Sequence, residues 1–279
     1  MRGVGSLFRL SMVLVFLFAV VGFGISMAGK ELPKVLFDNA HAQTAGNADW
    51  TIYGGYSEFA DVVKSLGFKV ESHEKADGPI TYELLKNYVA FVIPEPNRRF
   101  RDDEVKAILK YIKNGGGVFF IGDHAGADRD HDGWDAVKIF NVFVPELGFY
   151  FAKKTVSQAP NRGPIVNCPI TKGVKAVGGW GATWIEITDP KIAKAAIYFK
   201  FNKKGEKPYV VYGTYGKGRF VAIGDSSPFD DGKGAPGNHL HDNWDDFDHP
   251  QLAKNVILWL AGQKNAVDTV KEVREMIGE

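Results

Sequence analysis

Residues 89–124 read VAFVIPEPNRRFRDDEVKAILKYIKNGGGVFFIGDH. Two short apolar runs, residues 89–93 and 118–121, flank a segment of helical spacing. Within residues 102–113, Val105, Ile108, Leu109 and Ile112 share one face. Asp102 and Asp103 stand at the positive end of the helix dipole, and Asn114-Gly115-Gly116-Gly117 stops the helix. A run of four or five residues that is apolar throughout reads as a strand buried on both faces. The stretch is therefore strand, helix, strand.

The same alternation extends toward the N-terminus. Residues 34–38 form an apolar run ending in Asp38. Residues 56–66 have helical spacing (Phe59, Val62, Val63, Leu66) and stop at Gly67. Residues 68–70 read as a strand and residues 80–87 as a short helix. Toward the C-terminus the pattern changes. Residues 183–187 and 195–199 alternate and are expected as antiparallel strands that extend or flank the sheet. Residues 209–214 and 219–223 read as a hairpin about Gly216-Lys217-Gly218. Residues 250–260 form an amphipathic helix through Leu252, Val256, Ile257 and Leu260. The expected class is α/β: a doubly wound, mostly parallel sheet with helices on both faces and an antiparallel extension.

The ends of the chain read differently. Arg2 and Arg9 precede an apolar run over residues 10–23, and Ser26-Met27-Ala28 has the small-x-small pattern of a signal-peptidase site. Residues 1–28 are expected to be an export signal, with an uncleaved membrane anchor as the alternative. The protein is then periplasmic or extracellular, or held at a membrane by its N-terminus. Residues 29–262 form the α/β domain, and residues 263–279 a C-terminal helix. The single cysteine, Cys168, forms no internal disulfide and, with no neighbouring base, reads as a small apolar residue. The net charge of +1, without a basic stripe, argues against nucleic acid as a partner. A small-molecule or carbohydrate ligand fits better, and membrane contact is expected only through an uncleaved leader.

Open parallel sheets bind ligands outside the carboxyl ends of their strands. That rule selects the loops beginning at Asp38-Asn39-Ala40-His41, at Gly122-Asp123-His124 and at Gly224-Asp225-Ser226, together with the segment carrying His239 and His241. Seven histidines occur in the chain, and only His73 lies outside these loops and the segments that follow them. Asp38 is placed to orient His41 by fixing its tautomer. Arg98 and Arg99 follow the third strand and suit an anion. Asp128-Arg129-Asp130-His131-Asp132-Gly133 matches the first half of a calcium loop, but Ile139 occupies the position that needs a bidentate Glu. The His and Asp supply also suits zinc. Gly224-Asp225-Ser226 and Asp246-Phe247-Asp248-His249 imitate the blocks of an esterase class, but in the wrong order and at the wrong spacing.

The segments Val35-Leu36-Phe37-Asp38-Asn39-Ala40-His41, Gly115 through His124 and Gly216 through Ser226 resemble the class I glutamine amidotransferase-like superfamily. The similar branches are the GIFT-type domains of intraflagellar-transport proteins with their bacterial relatives, and the ThuA-like sugar-utilisation proteins. The resemblance covers most of residues 33–262 and implies a flavodoxin-like sheet. True amidotransferases carry a nucleophilic cysteine in the turn after the strand equivalent to residues 118–121. Asp123-His124 stands there in this chain, so glutamine hydrolysis through a thioester is excluded on chemical grounds.

Two readings of function follow. In the first, the protein is a metal-assisted, hydrolase-like or lyase-like enzyme. Asp38, His41, Asp123, His124 and Asp225 form its centre, and Asn39, Arg98, Ser226 and Trp134 contact the substrate. A divalent ion, zinc or calcium, is held by His239 and His241 or by Asp128, Asp130 and Asp132. In the second, it is a non-catalytic carbohydrate- or protein-binding module of the cell envelope, with Trp134, Trp180, Trp184, Trp244 and Phe229 as stacking faces.

Overall fold

The computed structural model describes residues 31–262. The expected leader and the expected C-terminal helix lie outside the described residues. The elements in chain order are β1 (Lys34–Asn39), α1 (Ser57–Ser65), β2 (Lys69–Glu74), α2 (Tyr82–Leu85), β3 (Ala90–Pro94), α3 (Asp102–Lys113) and β4 (Gly117–Ile121). There follow α4 (Ala136–Phe140), β5 (Phe149–Phe151), β6 (Ile185–Ile187), β7 (Ala193–Phe201), β8 (Gly205–Tyr215), β9 (Gly218–Ile223) and α5 (His249–Leu260).

Among the described residues, seven strands form one sheet in the order β2-β1-β3-β4-β9-β8-β7. The five from β2 to β9 are parallel, and β8 and β7 continue the sheet antiparallel. This is the expected doubly wound α/β sheet with its antiparallel extension. Successive side chains of a strand point to opposite faces, and the core divides accordingly. Val35, Phe37, Phe119 and Ile121 pack with α1 and α5, while Leu36, Val118 and Phe120 pack with α2, α3 and α4. Strands β3 and β4 are buried at every position, as their unbroken apolar runs require. Each large apolar side chain removed from water here contributes about 1.5–3 kcal/mol.

Three segments differ from expectation. Strand β2 runs on to Glu74, because an edge strand pairs through its backbone and tolerates the polar sequence KVESHE. The helix over residues 80–87 shortens to α2, which starts where Thr81 accepts the Leu84 N–H. The segment 183–187 supplies only β6, which pairs with β5 in a separate two-stranded sheet.

Register sets the strand ends level. Pro94 pairs with Ile121, and Ile121 with Ile223. One residue further on, the chain passes too close to its neighbours for a side chain. A Cβ on Gly122 would lie 2.8 Å from the Phe151 ring, and one on Gly224 would lie 2.0 Å from the Thr183 carbonyl oxygen. Glycine permits that approach and brings Asp123 and Asp225 to the same edge as Glu95.

Candidate functional site

Glu95, Asp123 and Asp225 follow the carboxyl ends of β3, β4 and β9, and none is more than 2% exposed. One cation serves two of them. Arg129 donates from Nε to Glu95 Oε1 at 2.7 Å and from Nη2 to Asp123 Oδ2 at 2.8 Å. The Ser226 hydroxyl donates to the other oxygen of Glu95 at 2.5 Å. Asp225 accepts the backbone N–H groups of Trp180 at 2.6 Å and Ser227 at 3.1 Å, and Asp123 accepts that of His124 at 2.7 Å. Tyr56 donates its hydroxyl to the Ser226 carbonyl at 3.0 Å.

Three carboxyls around one guanidinium cannot all be ionised without cost in so dry a place. Burial, then the charges of Glu95 and Asp225, holds the Asp123 carboxyl well above the usual carboxylate range, against Arg129. Burial also pushes Asp225 up to about 7, although the N–H groups of Trp180 and Ser227 resist it. Burial works against the Arg129 cation, but Glu95 and Asp123 outweigh it and raise its pKa. The cluster thus keeps protons at neutral pH.

Asp230 lies close by and is pushed up to about 7 by burial, against the N–H groups of Gly232 and His241. It accepts the His241 N–H at 2.8 Å. Burial, then the charge of Arg129, pushes the His241 imidazole below its ordinary value, against Glu95. His241 is half-buried beside the cluster, and His239 is exposed. His124 is half-buried, and its Nδ1 lies 3.1 Å from the Ala125 carbonyl.

Asp38 and His41 form a different assembly. His41 Nδ1 lies 2.8 Å from Asp38 Oδ2, its Nε2 lies 3.6 Å from Glu104 Oε2, and its ring stacks on Phe100 at 3.7 Å. Gln43 bonds both Asp38 and the Pro94 carbonyl. Burial disfavours the His41 cation, but Asp38 and then Glu104 outweigh it and hold the imidazole at about 9. An imidazole that stays charged at neutral pH, with a carboxylate at each nitrogen, is a clamp between the end of β1 and α3 rather than a base. The five residues expected as one centre are therefore divided: Asp123 and Asp225 share the cluster, while Asp38 turns to His41 and Gln43 because those groups satisfy its oxygens locally.

The remaining expected residues fall as follows. Ser226 belongs to the cluster. Asn39 is spent on Glu74 at 2.6 Å, and Trp134 lies under the Arg99 guanidinium at 4.7 Å. Arg98 comes within 4.0 Å of Asp130. Asp128, Asp130 and Asp132 approach within 4.8 Å of one another. Both oxygens of Asp128 already accept N–H groups, from Asp132 and Gly133, and Asp132 accepts that of Trp134. These bonds make the run a hydrogen-bonded acidic turn. His239 and His241 lie on another loop and do not join it. His249 accepts the Gly178 N–H at Nε2 and donates from Nδ1 to the Asn243 carbonyl, so it pins α5.

Glu95 and Arg129 were missed by sequence reasoning. Glu95 follows a strand end as Asp123 does, but it sits between Pro94 and Pro96 and reads as a strand stop. Arg129 is hidden inside the acidic run.

No protein-family model matches the chain, and a search of curated proteins finds no relative. Solved structures do share its fold. The mmIFT52 N-terminal domain is 17% identical with a TM-score of 0.63, over 82% of this chain and 97% of that one. A cytoplasmic protein of Salmonella typhimurium LT2 is 17% identical with a TM-score of 0.54, over 81% of this chain and 99% of that one. A ThuA-like protein of Bacteroides uniformis is 17% identical with a TM-score of 0.48, over 82% of this chain and 91% of that one. At these identities the likeness is one of fold, and the chemistry rests on this chain's own residues.

Proposed function

We propose that the Glu95–Asp123–Asp225 cluster is the proton-handling centre of a hydrolase-like or lyase-like enzyme acting on a small polar substrate. The observation that supports the reading is the acid load: three enclosed carboxyls stand at one sheet edge, and the one guanidinium there pairs with only two of them. Burying charge is a poor way to stabilise a fold, and strongly perturbed carboxyls mark functional sites. Asp225, poised at about 7, is the general acid or base. Asp123, held well above the carboxylate range, keeps a second proton. Arg129 covers the pair and must swing aside to admit substrate, and its guanidinium then serves the developing negative charge. His124 and His241 line the rim. Every step is carried by the chain's own groups. A thioester route is absent from this reading, because an aspartate occupies the nucleophile position. The expected leader makes this an enzyme of the cell envelope.

The enclosure itself favours a second reading, a non-catalytic binding module. Trp180 is half-buried and stacks on Phe247 at 6.1 Å, while its backbone N–H holds Asp225. An aromatic pair at the rim of a sealed acid cluster suits a sugar ring.

Chromogenic esters, phosphoesters, amides and glycosides, tested on the purified protein and on its Asp225→Asn variant, decide between them. Turnover with an apparent pKa near 7 that the variant loses is expected. Turnover untouched by the substitution removes Asp225 from the chemistry, and no turnover with any of these substrates defeats the enzyme reading. Glycan binding without turnover, lost in Trp180→Ala, establishes the second.

A further inference from the structure

The sheet order places a topological switch between β1 and β3: from β1 the chain winds outward to β2, and from β3 it winds the other way to β4. A doubly wound sheet opens a crevice at that point. Here the crevice is a cavity of about 320 Å³ lined by His41, Lys75, Arg98, Arg99, Arg101 and Glu104. The loops after β1, β2 and β3 supply those residues, except Glu104, which comes from the first turn of α3. A second cavity, of about 660 Å³, continues from it, shares Arg99 and Arg101, and adds Lys106.

The first cavity's lining carries five cationic groups against one carboxylate, and the second adds Lys106 together with Asp102 and Asp103. Two of the five are well paired. His41 is neutralised by Asp38 and Glu104, and Arg101 lies on Asp103 at 2.7 and 3.0 Å. Arg99 is loosely held, 3.6 Å from Asp102 and laid over Trp134. Arg98 reaches a carboxylate only at 4.0 Å, and Lys75 has no carboxylate within that distance among the described residues. The start of α3 does not create this field, because Asp103 and Glu104 accept N–H groups there. The cations do.

We propose that this crevice binds the phosphate group of a small phosphorylated molecule, with Lys75 and Arg98 as its principal ligands and Arg99 as a third. A guanidinium fork matches phosphate oxygens in pairs, and an ammonium adds a point charge. The volume is at the lower end for ligand pockets and suits a molecule of monosaccharide size. The site is separate from the carboxyl cluster, so either assignment survives the failure of the other.

Titration calorimetry of the full chain at low salt tests it with glucose 6-phosphate, inorganic phosphate and glucose. The first is expected to bind most tightly, the second more weakly, and glucose not at all. Inorganic phosphate binding as tightly as the sugar phosphate keeps the anion site and assigns it to the free ion. The double variant Lys75→Gln/Arg98→Gln is expected to lose about tenfold or more in affinity, and Lys217→Ala, at the β8–β9 turn, to lose none. Both substituted side chains are exposed, so the melting temperature of the double variant should match that of the parent. Equal affinity in parent and double variant overturns the proposal, as does binding of glucose as tight as that of its phosphate, or no heat with either phosphate at millimolar concentration.

Discussion

The Ser226 hydroxyl donates to Glu95 Oε2 at 2.5 Å, tying the end of β9 to the end of β3 across the intervening β4. Because Arg129 takes the other oxygen, Glu95 cannot turn, and Asp123 is held above it on a fixed base.

Removing that donor leaves one oxygen of a fully buried acid unsatisfied. Ser226→Ala is expected to destabilise the protein by about 1.5–3 kcal/mol, the range for a hydrogen bond to a charged group. Urea unfolding monitored by tryptophan fluorescence measures it, and a change near zero would show that the bond contributes nothing.

Arg129 is the partner of two acids at once. Arg129→Met keeps much of the stem but strips Glu95 and Asp123 of their cation, and should cost about 3–5 kcal/mol. Adding Glu95→Gln removes one of the stranded acids, so the double variant should be more stable than Arg129→Met alone. A double-mutant cycle in urea provides the check, and additive losses would mean that the two side chains do not act on each other.

Gly224 is held to glycine by space. A Cβ there meets the Thr183 carbonyl oxygen at 2.0 Å, and backbone cannot move aside as a side-chain tip can. Gly224→Ala is expected to cost at least about 1–3 kcal/mol by overpacking and to displace Asp225. Thermal melts give the first effect, and loss of any Asp225-dependent titration gives the second.

The strand-end rule located Asp123 and Asp225 from sequence because each follows a wholly apolar run, a pattern that marks both the strand and its end. It overlooked Glu95, although β3 ends in the same way, since two flanking prolines read as a stop and nothing more. The histidine concentration pointed to the right edge of the sheet but overstated the site. His41 and His249 stand in those loops as structural pins, each with both ring nitrogens engaged. Sequence spacing cannot separate a clamp from a ligand, because the difference lies in which carboxylate or carbonyl the fold brings to the ring. Strand β2 was half visible for a related reason: an edge strand needs backbone partners more than apolar side chains.

The clamp and the cluster lose stability over different pH windows, and this separates them in one experiment. His41 has a folded-state pKa of about 9 against an ordinary 6.5, so its contribution is complete below 6.5 and is lost as pH rises to 9. Asp225 is an acid with its pKa raised from 3.8 to about 7. The folded state binds its proton more tightly than the unfolded state does, so its contribution is complete below 3.8 and is lost as pH rises to 7. Asp230, also raised to about 7, acts in the same window. Glu104 has the opposite sign: lowered from 4.5 to about 2, it contributes above 4.5 and loses that as pH falls to 2. From these groups, stability should peak near pH 4–5 and decline in two stages, the first between 4 and 7 and the second between 6.5 and 9. Asp225→Asn should reduce the first decline and leave the second, with the residue of the first belonging to Asp230 and to Asp123, whose carboxyl is also held well above its ordinary value. His41→Gln should abolish the second and leave the first. Melting temperatures across that range test the assignment. If Asp225→Asn left the 4-to-7 slope unchanged, the proton would not reside on Asp225, and the general acid–base role given to it would go with it.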